Sequence, residues 1–174
     1  CSFCSGPNVR QLSPAGMALR RRSVPRIMED IRAAREINPN ISIIGFWDDT
    51  FPAEANFIEE FAAAYKKEVG LPFNIWAHPK TVKEQNVKLL ADAGLAQVIM
   101  GIESACETTR KEVFHRPETN EDIARVDSIF GAHPQVTRAY DLILDHPWES
   151  PTEMEETFDL LVRLKSPFKV NLHS

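Results

Sequence analysis

Two thiols stand three residues apart at the head of the chain, in Cys1-Ser2-Phe3-Cys4. Thiolates at this spacing can ligate a soft metal or form a redox couple, and a single CxxC does not choose among the possibilities. Zinc would require a second ligand pair, and Cys106 with the distant His115 does not supply a well-spaced one. A redox pair belongs near a helix start, whereas Ser5-Gly6-Pro7-Asn8 reads as a loop. The third reading is an iron–sulfur site whose remaining cysteine lies upstream. Cys106 reads as a small packing residue.

A second set of reactive groups follows short apolar runs. Asp48-Asp49, His78, Glu103-Ser104, Asp145-His146 and His173 each stand at the end of such a run. The runs cover 41–47, 73–77, 97–102, 138–144 and 168–172 and read as strands. Several are apolar at nearly every position, as expected of parallel strands covered on both faces. In parallel α/β folds chemistry collects at the carboxyl ends of strands, so five ionisable ends in five strands point to a functional rim.

Alternation along the strands sorts the side chains. Glu103 shares a face with Gly101 and Ile99, while Met100 and Val98 pack under helices. Asp141 and Asp145 fall together, opposite Leu142 and Leu144. A mid-strand carboxylate such as Asp141 needs a partner, a ligand or water. His78 and His146 each precede a proline and mark sharp exits from their strands; with His173 they stand as candidate substrate contacts.

Helical patterns separate the strands. Phe57, Ile58, Phe61, Ala62, Tyr65 and Val69 form one buried stripe. Thr81-Val82-Lys83-Glu84 reads as a capping box opening a helix that buries Val87, Leu90 and Ala91. Ser150-Pro151-Thr152-Glu153 is a second box, with Met154, Phe158, Leu161 and Leu164 expected on the apolar face. Further helices are expected near 23–37 and 120–131, with Gly70 and Gly94 at helix C-termini. The sum is one α/β domain over 1–174 with a single parallel sheet, either doubly wound or part of a (β/α) barrel; 174 residues are too few for eight units, so the barrel form is a partial (β/α)6 TIM-like barrel of parallel strands.

Composition is that of an ordinary globular domain, 43% hydrophobic and 26% charged, so a disordered tail is excluded. The apolar runs are far shorter than the roughly 18–20 residues of a membrane helix. A net charge of −5, with Arg20-Arg21-Arg22 the one local basic patch, argues against nonspecific nucleic-acid binding. The chain opens on Cys rather than Met, ends inside a strand pattern and carries no targeting signal. We read it as a piece of a longer cytoplasmic protein, truncated at both ends of the barrel.

Taken together, four segments resemble the radical SAM superfamily. Cys1-Ser2-Phe3-Cys4 matches the final CxxC of that family's CxxxCxxC motif, with the first cysteine expected four residues before Cys1, after a first strand that also lies upstream. The stretch from Phe46 to Phe51 (FWDDTF), Met100-Gly101-Ile102-Glu103-Ser104 followed by Arg116, and the stretch from Asp141 to Ser150 (DLILDHPWES) are similar to the branch whose members often carry a cobalamin-binding domain. Two departures stand out: Asp48-Asp49-Thr50-Phe51 replaces the family's Gly-Gly-Glu motif, and Asp145 stands where many members have glycine.

The resemblance implies an enzyme in which Cys1 and Cys4 hold a [4Fe–4S] cluster that reductively cleaves S-adenosylmethionine and starts radical chemistry on a small-molecule substrate. It implies that Phe3 packs near the adenine and that Asp48 or Asp49 binds the methionine ammonium. Glu103 and Asp141 would accept from the ribose hydroxyls or the amine, and Arg116 would pair with the methionine carboxylate or serve as a salt bridge. An electron donor such as flavodoxin or ferredoxin is implied as partner. Cobalamin, if used in methyl transfer, would sit on a separate upstream domain. Two rivals remain at this level: a metal-dependent hydrolase using His78, Glu103, Asp145 and His173, and a noncatalytic barrel scaffold.

Overall fold

A computed structural model describes residues 2, 4, 6, 11, 12, 14 and 20–173. Among them the elements run α1 (Val24–Ile37), β1 (Ile44–Gly45), α2 (Ala55–Glu68), β2 (Phe73–Trp76), α3 (Glu84–Ala93), β3 (Leu95–Glu103), α4 (Glu107–Glu112), α5 (Asn120–Gly131), β4 (Thr137–Ile143), α6 (Pro151–Arg163) and β5 (Lys169–His173). The five strands form one sheet in sequential order, every neighbouring pair parallel. Strand, helix and next strand therefore repeat around a common axis, the expected partial barrel.

One face of the sheet carries the core. Phe73, Ile75, Val98, Met100, Ile102, Tyr140 and Leu142 are buried against the helices. Phe46, Phe51, Phe61, Tyr65 and Phe73 meet largely edge-to-face beneath α2, with ring centroids 4.7–6.2 Å apart, the geometry aromatic quadrupoles prefer. The opposite, concave face carries the alternate residues, including Trp47, Asn74, Trp76, Gln97, Gly101, Asp141 and Asn171.

Most element ends follow the local chemistry. The Ser150 hydroxyl oxygen accepts from the Glu153 N–H and the Ser150 N–H donates to the Glu153 carboxylate, a closed capping box with Pro151 in the first turn. Gly94 ends α3 at φ +112°, and a Cβ there would lie 3.1 Å from the Leu71 carbonyl, so both conformation and space demand glycine.

Three local expectations are corrected. Thr81 does not cap α3: its hydroxyl donates to the His78 carbonyl at 3.0 Å, closing the turn after β2, and α3 starts at Glu84 without a side-chain cap. Helix α6 buries Thr157, Leu160 and Leu164, while Met154 and Phe158 are exposed. The Thr157 hydroxyl fixes that phase, accepting from the Ala105 N–H at 3.1 Å and donating to the Glu153 carbonyl. Finally, β1 is two residues long, although pairing continues as the Phe46 N–H donates to the Asn74 carbonyl.

Candidate functional site at the carboxyl rim

Strand β3 ends in a distortion. Gly101 pairs with Asp141 and Glu103 pairs with Leu142, so one extra residue is inserted between them. Glu103 then turns at φ +63°, and the Ser104 N–H donates back to the Ile102 carbonyl at 2.8 Å. A glutamate in the left-handed region is uncommon and costs energy. The bulge and turn fold the Glu103 carboxylate back over Gly101, where any side chain would collide with it.

Arg116 holds that carboxylate. Its Nη1 lies 3.2 Å from Glu103 Oε1, its Nη2 donates to the Gly101 carbonyl at 2.7 Å, and its Nε donates to Glu118 Oε1. The other oxygen of Glu118 lies 3.3 Å from His78 Nε2, an ion-pair contact without hydrogen-bond geometry. Beyond Glu103, Asp141 accepts from Asn171 Nδ2 at 2.7 Å, with His173 Nε2 at 3.8 Å. A line of ionisable side chains thus runs from the end of β2 to the end of β5.

Burial sets the electrostatics of this line. Desolvation raises the Glu103 pKa to about 7, helped by the charges of Asp141 and Glu118 and opposed by Arg116. Burial acts the same way on Glu118 but is outweighed by His78 and Arg116, which leave its carboxyl at about 2. Two neighbouring carboxyl groups therefore divide: Glu118 is a fixed anion, and Glu103 takes up or releases a proton near neutrality.

The loop carrying these groups is anchored by Arg110, which is fully buried. Its guanidinium donates to the carbonyls of Ser104 (2.9 Å) and Glu118 (2.7 Å) and to Asn120 Oδ1 (2.5 Å). Asn120 in turn donates to the Ala105 carbonyl at 2.9 Å. Arg110, Glu118 and Asn120 were not legible in the sequence as parts of a site. The one available signal was an arginine within a run otherwise too short and polar to bury itself.

The second cluster lies at the end of β1. Cys4 is exposed and free, and its sulfur accepts from the Gly6 N–H at 3.4 Å. A Cβ placed on Gly6 would stand 3.6 Å from that sulfur and 3.7 Å from Asp49 Oδ2. The thiol and the carboxylate therefore both lie close to one point beside Gly6. Neither Asp48 nor Asp49 caps the next helix, because α2 begins at Ala55 with Glu54 as its N-cap. Cys1 and Phe3 lie outside the described residues.

Other rim residues go elsewhere. The His146 ring meets Phe114 edge-on at 5.1 Å, and among the described residues its nitrogens are buried without hydrogen-bond partners. Asp145 is exposed at φ +58°. That left-handed backbone explains why glycine suits the position and why aspartate, which tolerates the region, can replace it. Cys106 is the N-cap residue of α4, its N–H donating to Ser104 Oγ. The four residues of the hydrolase alternative are not gathered: His78 faces Glu118, and His173 faces Asp141. Among the described residues no three His, Cys, Asp or Glu side chains are arranged to hold a metal ion.

Comparison with known proteins identifies the assembly. The radical SAM superfamily model matches residues 1–161. The chain belongs to the radical SAM superfamily. It is 30% identical over 122 residues to the cytidylyl-2-hydroxyethylphosphonate methyltransferase of Streptomyces wedmorensis, covering 67% of this chain and 21% of that protein. It is 23% identical over 175 residues to the tRNA-2-methylthio-N(6)-dimethylallyladenosine synthase of Syntrophotalea carbinolica, covering 95% of this chain and 38% of that protein. The chain thus spans well under half the length of these relatives.

Among solved structures, the radical SAM methyltransferase TsrM from Kitasatospora setae superposes with a TM-score of 0.73 at 14% identity, over 88% of this chain and 30% of that one. The cobalamin-dependent radical SAM enzyme OxsB superposes with a TM-score of 0.64 at 21% identity, over 95% of this chain and 26% of that one. Both share the fold. Radical SAM proteins are enzymes that use a [4Fe–4S] cluster and S-adenosylmethionine. Among the described residues no helix is long and apolar enough to cross a membrane.

Proposed function

We propose that this chain forms the rim of a radical SAM active site in which Cys4, with Cys1 and a cysteine upstream, holds the [4Fe–4S] cluster, while Asp49, Glu103 and Asp141 receive S-adenosylmethionine. The observation that carries this reading is the approach of the Cys4 sulfur and the Asp49 carboxylate to one point beside Gly6. Cys4 fits a cluster ligand: it is exposed, free of a disulfide, and its sulfur accepts a backbone N–H, a bond that stabilises thiolate charge. When bound, the cluster supplies one electron to the sulfonium, giving methionine and a 5′-deoxyadenosyl radical.

The chain's own residues place the cofactor and balance its charge. Asp49, beside Cys4, offers an anionic acceptor to the methionine ammonium, the role left open by the missing Gly-Gly-Glu motif, and Asp48 stands next to it. Glu103 and Asp141, on adjacent strands, offer acceptors to ribose hydroxyls or the amine. Arg116 is committed to Glu103, Glu118 and the Gly101 carbonyl, so its part is to fix Glu103, with a methionine carboxylate as an added partner. Phe3 would pack against the adenine.

Cobalamin-dependent methyl transfer is the finer reading. It is supported by the solved structures of similar fold that hold cobalamin, with the cobalamin on a domain outside this chain. Flavodoxin or ferredoxin in the cytoplasm would supply the electron, and a small molecule the radical acceptor.

The test uses the full-length protein with iron and sulfide reconstituted without oxygen. After reduction and addition of S-adenosylmethionine, 5′-deoxyadenosine is expected by mass spectrometry in the wild type and not in Cys4→Ala. Bound iron with no 5′-deoxyadenosine would refute the reading and favour the scaffold.

A further inference from the structure

The concave face carries a feature outside the residues assigned above to the cluster and S-adenosylmethionine. Trp47, at the end of β1, is 82% exposed. Its ring lies 4.5 Å from that of Trp76, at the end of β2, with 33° between the planes. The two indoles form a tilted stack on the barrel-facing side of the sheet, opposite the aromatic core under α2. An exposed tryptophan normally loses favourable burial, and among the described residues Trp47 takes no part in the core.

The strand beneath is built to let the indole lie down. Gly45 precedes Trp47 on the same face, and a Cβ there would stand 3.0 Å from Trp47 Nε1 and 3.2 Å from Asn74 Oδ1. Glycine therefore leaves the space in which the ring edge approaches the Asn74 amide. Asn74 pairs in register with Gln97 on β3, so two amides line the same face next to the stack. Both are only half-buried, and neither has a side-chain hydrogen bond among the described residues. The outward π-face of Trp47, backed by Trp76, with adjacent amide donors and acceptors matches a flat ring with polar edges: the face supplies stacking, and the amides read the edge.

We propose that Trp47 and Trp76, edged by Asn74 and Gln97, form the subsite for a planar heteroaromatic group of the radical-accepting substrate. The assignment rests on the radical SAM reading, because Trp47 runs directly into Asp48 and Asp49 and so borders the point beside Gly6 that Asp49 and Cys4 both approach. A ring held on the indoles lies on the same concave face as Glu103 and Asp141. Saturated chains and sugars lack the π-face that this surface selects.

The test is a titration of the full-length holoprotein with indole and with cytidine, followed by isothermal titration calorimetry, with cyclohexanol as the saturated control. Saturable binding of both aromatic probes and none of cyclohexanol is expected. Trp47→Leu should weaken the probes about tenfold, as loss of one stacking partner does, with Trp47→Phe recovering much of it. Gly45→Ala, which keeps both indoles but lifts one, should also weaken them. Saturating S-adenosylmethionine should leave probe binding in place. Probe affinity unchanged in Trp47→Leu, or complete displacement by S-adenosylmethionine, overturns the proposal; displacement would assign the stack to the adenine instead. The 5′-deoxyadenosine assay is independent: cleavage without ring binding removes the subsite alone, and Trp47-dependent ring binding without cleavage removes the radical SAM reading instead.

Discussion

Glu103→Gln tests the electrostatics of the rim most directly. The Glu103 carboxyl titrates at about 7 in the folded protein against an ordinary value of 4.5, and its side chain is 8% exposed, so solvent screening is slight. Below pH 4.5 it is protonated in both folded and unfolded chains, and its contribution is fully present. Between 4.5 and 7 the unfolded chain ionises while the folded one keeps its proton, so stability falls as pH rises. Above 7 the loss is complete, about 3 kcal/mol at roughly 1.4 kcal/mol per pKa unit.

A glutamine mimics the protonated form and cannot ionise. The variant should exceed the wild type by under about 1 kcal/mol at pH 5 and by about 3 kcal/mol at pH 8. The assay is urea unfolding of the full-length protein from pH 5 to 8.5, without S-adenosylmethionine, read as hydrogen-exchange protection of β3 peptides so that the local unit is followed. If the variant shows the wild-type slope, or is the less stable protein at pH 8, Glu103 is not a desolvated carboxyl and the reasoning fails. The same proton links to ligand: a cation settling near Glu103 favours the ionised form, so S-adenosylmethionine should bind more tightly as pH rises through 7, and this rise should vanish in the variant.

Three further outcomes follow from the same geometry. Arg110→Met removes donors from two carbonyls and Asn120 in a fully buried setting, so it should cost about 3–5 kcal/mol and raise hydrogen exchange across 104–120 before any other segment. Asp145→Gly should be neutral or slightly stabilising and Asp145→Val destabilising by about 1–2 kcal/mol, because the backbone there is left-handed; thermal midpoints of the pair decide it. Asp127 accepts from Arg138 Nη1 (2.6 Å), Tyr140 OH (2.6 Å) and the Lys165 N–H (2.9 Å). Asp127→Leu therefore leaves a buried arginine unpaired and should cost about 3–5 kcal/mol, visible as a lowered urea midpoint.

Much of the architecture was legible because it depends on near neighbours. The runs at 73–77, 97–102, 138–144 and 168–172 each lie within two residues of a strand at both ends, since runs rich in β-branched and aromatic residues favour the extended chain even where, as in β5, the strand is exposed along its whole length. The two-residue periodicity placed Val98 and Met100 under the helices. The capping box at Ser150 formed because both partners lie within one turn. Helix α6 shows the limit: hydrophobicity alone put Phe158 inward, whereas a hydrogen bond from the Ala105 backbone, 52 residues away, turned Thr157 inward instead.

The sequence by itself determined the alternation of strands and helices, the ionisable strand ends and the family resemblance. All of these follow from residue type and short spacing. Only the tertiary structure decided that β3 bulges before Glu103, that Arg110 pins the loop behind it, that His78 joins through Glu118 and Arg116 rather than facing a ligand alone, and that Trp47 lies on Trp76. Each of these depends on which distant groups share a buried volume. In such a volume desolvation decides which charges survive: Glu118, held between Arg116 and His78, stays ionised, and Glu103, a few ångströms away on the same arginine, does not fully do so.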